Sequence, residues 1–189
     1  MRQPVLRPGD VAVALELVLR PDEGYVPLAR AVGISLGEAH NAVRRLGASG
    51  LLLPGLRRPN RSAILDFLSS GVRYAFPGAL GPEAPGVPTA HAGPSLARTF
   101  RGARPLVWPS MDGTVRGDSL TPLYPGAPGT AARVPDLYEL LTLVDALRVG
   151  RARERSRAAA LVRTRLGLEK PSAISRQQER VVSRRPSVP

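Results

Sequence analysis

Apolar residues recur at helical spacing in three runs within the first fifty residues. The first run predicts a helix over 8–20, with Asp10 as its N-cap and turn-forming residues at 21–24 ending it. A second, shorter helix is expected to start near Pro27, because proline suits the first helical position, where its missing N–H is not needed. The third run predicts a helix over 35–46.

A tight turn separates the second and third predicted helices. Gly33 can adopt positive φ without steric cost, which a sharp reversal between two helices requires. Ser35 and Glu38 have the spacing of a capping box at the start of the third helix. The predicted inner face of that helix holds Leu36, Ala39, Val43 and Leu46, and its outer face holds Gly37, Glu38, His40, Asn41, Arg44 and Arg45.

The pattern after the third helix predicts a short strand over 51–53 and a Pro-Gly turn at 54–55. A fourth helix is expected over 61–75 from the spacing of its apolar residues. The stretch 77–96 is rich in proline and glycine and shows no periodicity. It is predicted to be an extended strap that packs on the domain, because it includes apolar residues to bury.

The second half of the chain alternates between hairpin, loop and helix signals. Asp112-Gly113 suits a type I′ turn, and the apolar pairs 107–108 and 114–115 flank it, so a β-hairpin is expected over 104–116. After a second Pro/Gly-rich stretch, one apolar stripe predicts a helix over 136–148. A very basic helix is expected over 151–166, and disorder is expected beyond 170.

The net charge of +12 is concentrated at one end of the chain. Residues 151–189 contain eleven basic and three acidic side chains, which is two thirds of the excess. Such a tail favours polyanions, of which nucleic acid is the usual one. The alternative is a solvated tail that only aids solubility.

The composition gives little support to an enzyme. The chain has no cysteine, which excludes a thiolate nucleophile and a zinc–thiolate site. His40 and His91 are the only histidines, and neither has a carboxylate at ligand spacing, so no metal and no cofactor is expected. With no signal-peptide pattern and no apolar run long enough to span a bilayer, a cytoplasmic protein without membrane contact is predicted.

The segment 28–52 reads LARAVGISLGEAHNAVRRLGASGLL. It resembles the helix-turn-helix core of the MarR-like winged helix-turn-helix transcription regulators, closely over these residues and loosely over 8–62. Ala29 lets two helices approach, Gly33 makes the turn, and Ser35 caps the reading helix. The short, proline-rich segment after residue 53 departs from the pattern, as does the acidic Glu38 at the front of the reading helix.

This resemblance implies that the third helix enters the major groove of double-stranded DNA. Asn41 would contact adenine, while Arg44 or Arg45 would read guanine or a phosphate. The implied DNA-binding side chains lie on the reading helix and in the wing that follows it: Ser35, Glu38, His40, Asn41, Arg44, Arg45, Arg57, Arg58 and Arg61.

The resulting prediction is a mainly α protein with a small amount of β-structure. A winged helix-turn-helix over 1–76 precedes a Pro/Gly-rich strap with a hairpin over 77–135, a helical arm over 136–168 and a basic disordered tail over 169–189. The predicted function is sequence-specific transcriptional regulation, as a repressor, without enzymatic activity. The stripe of the helical arm serves either intramolecular packing or homodimerisation.

Two other readings remain open. In one, the chain is a winged-helix antitoxin or another interaction module, residues 95–168 bind a partner protein, and the arginines of the third helix are merely solvated. In the other, the basic tail is the main contact and DNA binding is non-specific.

Overall fold

The computed structural model describes residues 5–168. Helices predominate in it, and a small three-stranded sheet lies between the two helical parts of the chain. The chain is therefore mixed α/β, and the coarse prediction of many helices with little β-structure is confirmed. The predicted basic tail over 169–189 lies outside the described residues.

Three helices open the chain in the predicted order. They are α1 (Pro8–Leu19), α2 (Tyr25–Val32) and α3 (Leu36–Ala48). The predicted start of α2 at Pro27 is two residues late, and Arg7, not Asp10, is the N-cap of α1. Asp10 instead lies one turn into α1, where its Oδ2 accepts a hydrogen bond from the backbone N–H of Arg7 at 2.8 Å.

The predicted fourth helix is present but not regular. It begins as α4 (Arg61–Asp66), widens into a π-helical turn (Phe67–Gly71) and ends as α5 (Val72–Ala75). Asn60 caps it by accepting the backbone N–H of Ala63 at 3.2 Å. Such a single π turn inside a helix accommodates one extra residue without ending the helix.

The C-terminal part contains α6 (Thr130–Arg133), α7 (Pro135–Val149) and α8 (Ala152–Arg165). The last two match the predicted helices, whereas the single turn of α6 was predicted as loop. Ten successive or near-successive residues of α7 are buried, and α7 packs on α1, α5 and α8. The apolar stripe of the helical arm is therefore covered within the chain itself. No helix in the described range has both the length and the apolar character needed to cross a membrane.

A long strand that the sequence did not predict organises the sheet. This strand, β1 (Leu80–Thr89), pairs antiparallel with β2 (Leu106–Pro109) along its second half and with β3 (Val115–Leu120) along its first half. Strands β2 and β3 also pair with each other, in parallel, so each strand contacts both others.

The predicted hairpin is therefore wrong, and so is its type I′ turn, because neither Asp112 nor Gly113 has the positive φ that this turn requires. A tight turn lies one residue earlier, where the N–H of Gly113 donates to the carbonyl of Ser110 at 3.1 Å. Both arms pair antiparallel with β1, and they pair with each other in parallel, not antiparallel as in a hairpin. Gly113 approaches β1 so closely that a Cβ on it would lie 2.2 Å from the backbone of Gly86.

A buried carboxylate joins the sheet to α7. Asp145 is fully buried, and its Oδ2 accepts hydrogen bonds from Trp108 Nε1 at 2.6 Å and from Thr89 Oγ1 at 2.7 Å. Its Oδ1 accepts one from Arg148 at 2.5 Å, and Arg148 also donates to the backbone carbonyl of Phe76 at 2.8 Å. Burial raises the pKa of Asp145, while the neighbouring guanidinium and the donors act in the opposite direction. This cluster fixes the sheet, α5 and α7 relative to one another.

One hydrophobic core runs through the described chain. Its buried members come from α1, α2, α3, α4, α7 and α8, together with Trp108 of β2. α1 is buried along nearly its whole length, since every residue from Asp10 to Val18 is inaccessible. It is thus a central helix with neighbours on several sides, not an amphipathic surface helix.

Candidate nucleic-acid interface

The turn between α2 and α3 has the predicted positive φ at Gly33 and the predicted cap at Ser35. Gly33 ends α2 with φ 78°, a left-handed conformation that a residue with a Cβ adopts only at a cost. Ser35 caps α3, and its Oγ accepts the backbone N–H of Glu38 at 3.2 Å. The turn therefore brings α2 and α3 into contact over a small number of residues, and α1 packs behind both.

α3 exposes a continuous polar face. Gly37, His40, Asn41 and Arg44 are all exposed and lie three or four residues apart, which places them on one side of the helix. Arg44 donates to Asn41 Oδ1 at 3.2 Å, so the two side chains are oriented along the same stretch of the helix surface. The face combines one cation with amide, imidazole and glycine surface and is open to a large partner.

The structure corrects the placement of Arg45. Its side chain is directed inward, where Nε donates to Asp10 Oδ2 at 2.8 Å and Nη2 donates to Asp10 Oδ1 at 2.6 Å. A second carboxylate, that of Glu38, accepts from Nη2 at 2.5 Å. The hydrogen bond to Asp10 is the main cause of a raised pKa for Arg45, which keeps the guanidinium charged. Arg45 therefore fastens α3 to α1 and is not available to bases or phosphates.

The predicted division of α3 into two faces is wrong at two further positions. Leu36, assigned to the inner face, is 47% exposed at the start of the helix. Ala42, which the prediction left out, is buried with Ala39 and Leu46. The buried face of α3 is therefore centred between Ala39 and Ala42. Compared with the predicted face, it is rotated about the helix axis toward Arg45, and this side chain therefore lies in the interior.

Glu38 is also committed to structure. Its carboxylate pairs with Arg45 and lies 3.6 Å from the guanidinium of Arg7. Among the described residues it makes no hydrogen bond to the backbone of Ser35, so only the Ser35 half of the predicted capping box is formed. Because its charge is matched by two arginines, it opposes an anionic partner less than the sequence suggested.

Residues 51–60 form a small two-armed ribbon after α3. Leu52 and Pro59 make an antiparallel bridge, and the N–H of Leu53 donates to the carbonyl of Arg58 at 2.8 Å. Gly55, with φ 69°, allows the reversal at the tip. The second arm of this ribbon consists only of the few residues before α4.

The three arginines assigned to the wing have different environments. Arg57 extends from the ribbon to the start of α2, where it donates to the backbone carbonyl of Glu23 and lies 4.9 Å above the ring of Tyr25. Arg58 remains 67% exposed in a loose ion pair with Asp22 at 3.7 Å. Arg61 donates to the carbonyls of Leu166, at 2.8 Å, and Val18, at 3.3 Å, so it joins α4 to α8 and α1.

Tyr25 is a site residue that the sequence reasoning missed. Its ring stacks on His40 with a centroid separation of 3.7 Å and an interplanar angle of 21°. The guanidinium of Arg57 also contacts this ring, so His40, Tyr25 and Arg57 form a short chain of contacts that links α3, α2 and the ribbon. The only sequence signal for the role of Tyr25 is its position at the start of α2, and a predicted helix start at Pro27 leaves this residue out.

A second set of missed residues lies behind the turn. Tyr124 donates through its hydroxyl to the carbonyl of Val32 at 2.9 Å, and burial raises the pKa of this hydroxyl. The guanidinium of Arg133 lies against Gly33, where a Cβ would be 2.6 Å from Nη2. We call Tyr124 and Arg133 the turn brace. Through it, the segment before α7 supports the reversal between α2 and α3.

Comparison with protein-family models, with curated proteins and with solved structures finds no match to this chain. Among residues 5–168, no group of three His, Asp or Glu side chains is arranged to hold a metal ion. The functional argument therefore depends on the geometry of the α2–α3 unit and its surroundings.

Proposed function

We propose that this protein binds double-stranded DNA with α3 in the major groove and acts as a sequence-specific transcriptional regulator. The observation that carries the proposal is the exposed polar face of α3, with Asn41 and Arg44 side by side. An α-helix fits the major groove, and amide and guanidinium groups are the side chains that read adenine and guanine there.

The packing of α3 supports this assignment. A reading helix needs a rigid base, and here buried alanines, Leu46 and the Arg45–Asp10 pair hold α3 on α1. Ser35 and the first backbone N–H groups of α3 are exposed at its positive end, which favours a phosphate. Arg58, on the second arm of the ribbon, supplies a further exposed cation for the backbone.

The proposed contact set is smaller than the predicted one. Ser35, His40, Asn41, Arg44 and Arg58 stay in it because their side chains are exposed. Arg45 and Arg61 leave it because their guanidinium groups bind carboxylates or backbone carbonyls of the protein. Arg57 contributes by positioning Tyr25 and, through it, His40.

The test is selection of bound sequences from a random DNA pool at physiological salt, followed by titration of the selected site with variants. Arg44→Ala and Asn41→Ala are each expected to weaken binding about tenfold to hundredfold and to relax the preference at single base positions. Arg98→Ala is the matched control, since it removes an equally exposed arginine from a loop on another element. Equal binding by all three variants, or no enriched sequence, would overturn the proposal.

The selected sequence also tests the oligomeric state. A motif with two-fold symmetry and half-sites about one helical turn apart indicates a homodimer on DNA. Because the stripe of α7 is covered within the chain, a dimer must use a different surface. A single asymmetric half-site indicates binding as a monomer.

One observation favours the interaction-module alternative, in which a partner protein is the main ligand. Leu53 and Leu56, at the tip of the ribbon, are 39% and 55% exposed, and Leu36 is exposed on α3. Replacing both ribbon leucines by Ser separates the two functions. Loss of a co-purifying protein with unchanged DNA affinity supports the interaction module, whereas a loss of DNA affinity assigns the ribbon to DNA.

A further inference from the structure

A cleft between α1, α2 and the α6–α7 junction is not used by the proposed function. It has a volume of about 380 Å³, which lies in the range of small-molecule sites. Its walls come from α1, the α1–α2 turn, α2 and the α6–α7 junction. The lining residues are Glu16, Arg20, Glu23, Pro27, Arg30, Ala31, Arg133 and Val134.

Glu16 is the unusual group in this wall. It is 1% exposed, and only one of its carboxylate oxygens has a partner, Oε1, which accepts from Arg20 at 2.5 Å. The other oxygen, Oε2, is buried and makes no hydrogen bond within the described chain. Burial raises the pKa of Glu16, and Glu23 and Asp136 add to the effect. A buried carboxylate oxygen without a donor is costly, so such a group calls for a ligand that supplies one.

Two cations that line the cleft, Arg30 and Arg133, have no carboxylate partner among the described residues. Arg30 is exposed and makes no ion pair with any other residue in the described range. Arg133 makes only a 3.5 Å hydrogen bond, to the carbonyl of Gly126. Both guanidinium groups therefore have donors available for an anionic group, and guanidinium is the side chain best suited to a carboxylate.

Part of the wall is apolar. Pro27, Ala31 and Val134 line it, beside the carboxylates of Glu16 and Glu23 and the guanidinium groups of Arg20, Arg30 and Arg133. We propose that the cleft binds a small zwitterion of the α-amino acid type, with its ammonium on Glu16 and its carboxylate on Arg30 and Arg133. The apolar residues would then contact the side chain of the ligand.

Arg20 lines the cleft beside Glu16 and pairs with it. Its guanidinium spans from Glu16 to Glu23, 3.6 Å away, and its side chain is 35% exposed. An ammonium group that reaches Oε2 therefore requires Arg20 to turn outward toward Glu23. This movement uses an exposed side chain and leaves the helices in place.

The experiment is a thermal-unfolding screen of the intact chain with each common L-amino acid at about 10 mM, followed by calorimetric titration of those that stabilise it. For the tightest ligand, the N-acetyl derivative removes the ammonium charge and the amide derivative removes the carboxylate. Each derivative is expected to bind at least about tenfold more weakly than the parent, because each loses a charge-assisted contact. The proposal would be overturned if no amino acid stabilised the chain, or if either derivative bound as tightly as the parent amino acid.

Variants locate the site. Arg30→Ala, at an exposed position, and Glu16→Gln, which keeps the shape of the side chain, are each expected to reduce affinity about tenfold. Arg98→Ala again serves as the charge-matched control and is expected to bind like the unmodified chain. Binding that is insensitive to both cleft variants would place the ligand elsewhere and contradict the assignment. The outcome does not depend on whether the protein binds DNA, because the readout is ligand binding alone.

Discussion

Replacing Arg45 by Ala tests the reassignment of this residue from DNA contact to structural anchor. The change removes two hydrogen bonds to Asp10, at 2.6 and 2.8 Å, in a pair whose side chains are only 9% and 2% exposed. Asp10 is then left buried without a counterion, and its remaining partner is the backbone N–H of Arg7.

The expected loss follows from this burial. Removing one partner of a buried ion pair costs about 3–5 kcal/mol, mainly because the other charge stays in a poor solvent. The remaining hydrogen bond from Arg7 places the value near the lower end, at about 3 kcal/mol. For a chain of this size that loss lowers Tm by about 6–12 °C.

The assay is equilibrium unfolding in denaturant, with Arg44→Ala as the matched control. Arg44 is the next residue in the chain and is exposed, so its removal is expected to change stability by less than about 0.5 kcal/mol. Replacing both members of the pair, Asp10 by Asn and Arg45 by Met, is expected to restore part of the loss, since no unpaired charge remains. The reasoning is refuted if the two single arginine variants unfold at the same denaturant concentration.

Three further predictions address other parts of the molecule. Asp145→Ala leaves the buried Arg148 without its carboxylate and is expected to cost about 3–5 kcal/mol in denaturant unfolding, whereas a loss below about 1 kcal/mol would show that Arg148 is satisfied by backbone carbonyls alone. The pKa of Glu16 is raised in the folded state, so the folded chain binds this proton more tightly and stability falls as pH rises above 4.5 through the folded pKa. Glu16→Gln is expected to lack that fall. The prediction is wrong if the free energy of unfolding of the two proteins depends on pH in the same way between about pH 4 and pH 7. Gly33→Ala places a Cβ 2.6 Å from Arg133 on a backbone with φ 78°, and it is expected to lower the free energy of unfolding by at least about 1 kcal/mol. Adding Arg133→Ala should remove the steric part of this loss but not the backbone part, which thermal unfolding of the single and double variants can measure.

The helices were predictable because each leaves a local signal. The spacing of apolar residues in α1, α3, α7 and α8 indicates that each segment is helical, and Ser35 and Gly33 mark the boundaries between α2 and α3. Such signals operate within one or two helical turns, so they need no knowledge of the partner element. The errors at helix starts are small because they concern only the first turn.

The sheet was not predictable for a related reason. β1 contains three prolines, and proline within a strand pattern normally argues against a paired strand. Here Pro82 lies at a bulge between Gly81 and Glu83, while the carbonyl of Pro88 accepts the hydroxyl of Tyr138 at 2.7 Å. A tertiary contact of this kind stabilises the strand although proline has no N–H to donate, and it joins residues far apart in the chain.

The same limit explains the site residues that were assigned wrongly. Arg44 and Arg45 are adjacent and chemically identical, so composition and motif do not distinguish them. Their difference depends on Asp10, thirty-five positions earlier, which offers a carboxylate at the right place on α1. The sequence of an amphipathic helix shows that one of its arginines is buried only when the position of the carboxylate that pairs with it is already known.

The position of α1 bears on how the chain is divided. A boundary near residue 76 separates the α2–α3 unit from α7 in the sequence, but α1 is buried against α7 as well as against α3. The turn brace adds a second connection, because Tyr124 and Arg133 contact the end of α2 and the turn itself. The proposed DNA-reading helix is thus oriented by contacts from both halves of the chain. A ligand in the cleft would touch α1, α2 and Arg133 together. The C-terminal half is in this sense part of the support of α3.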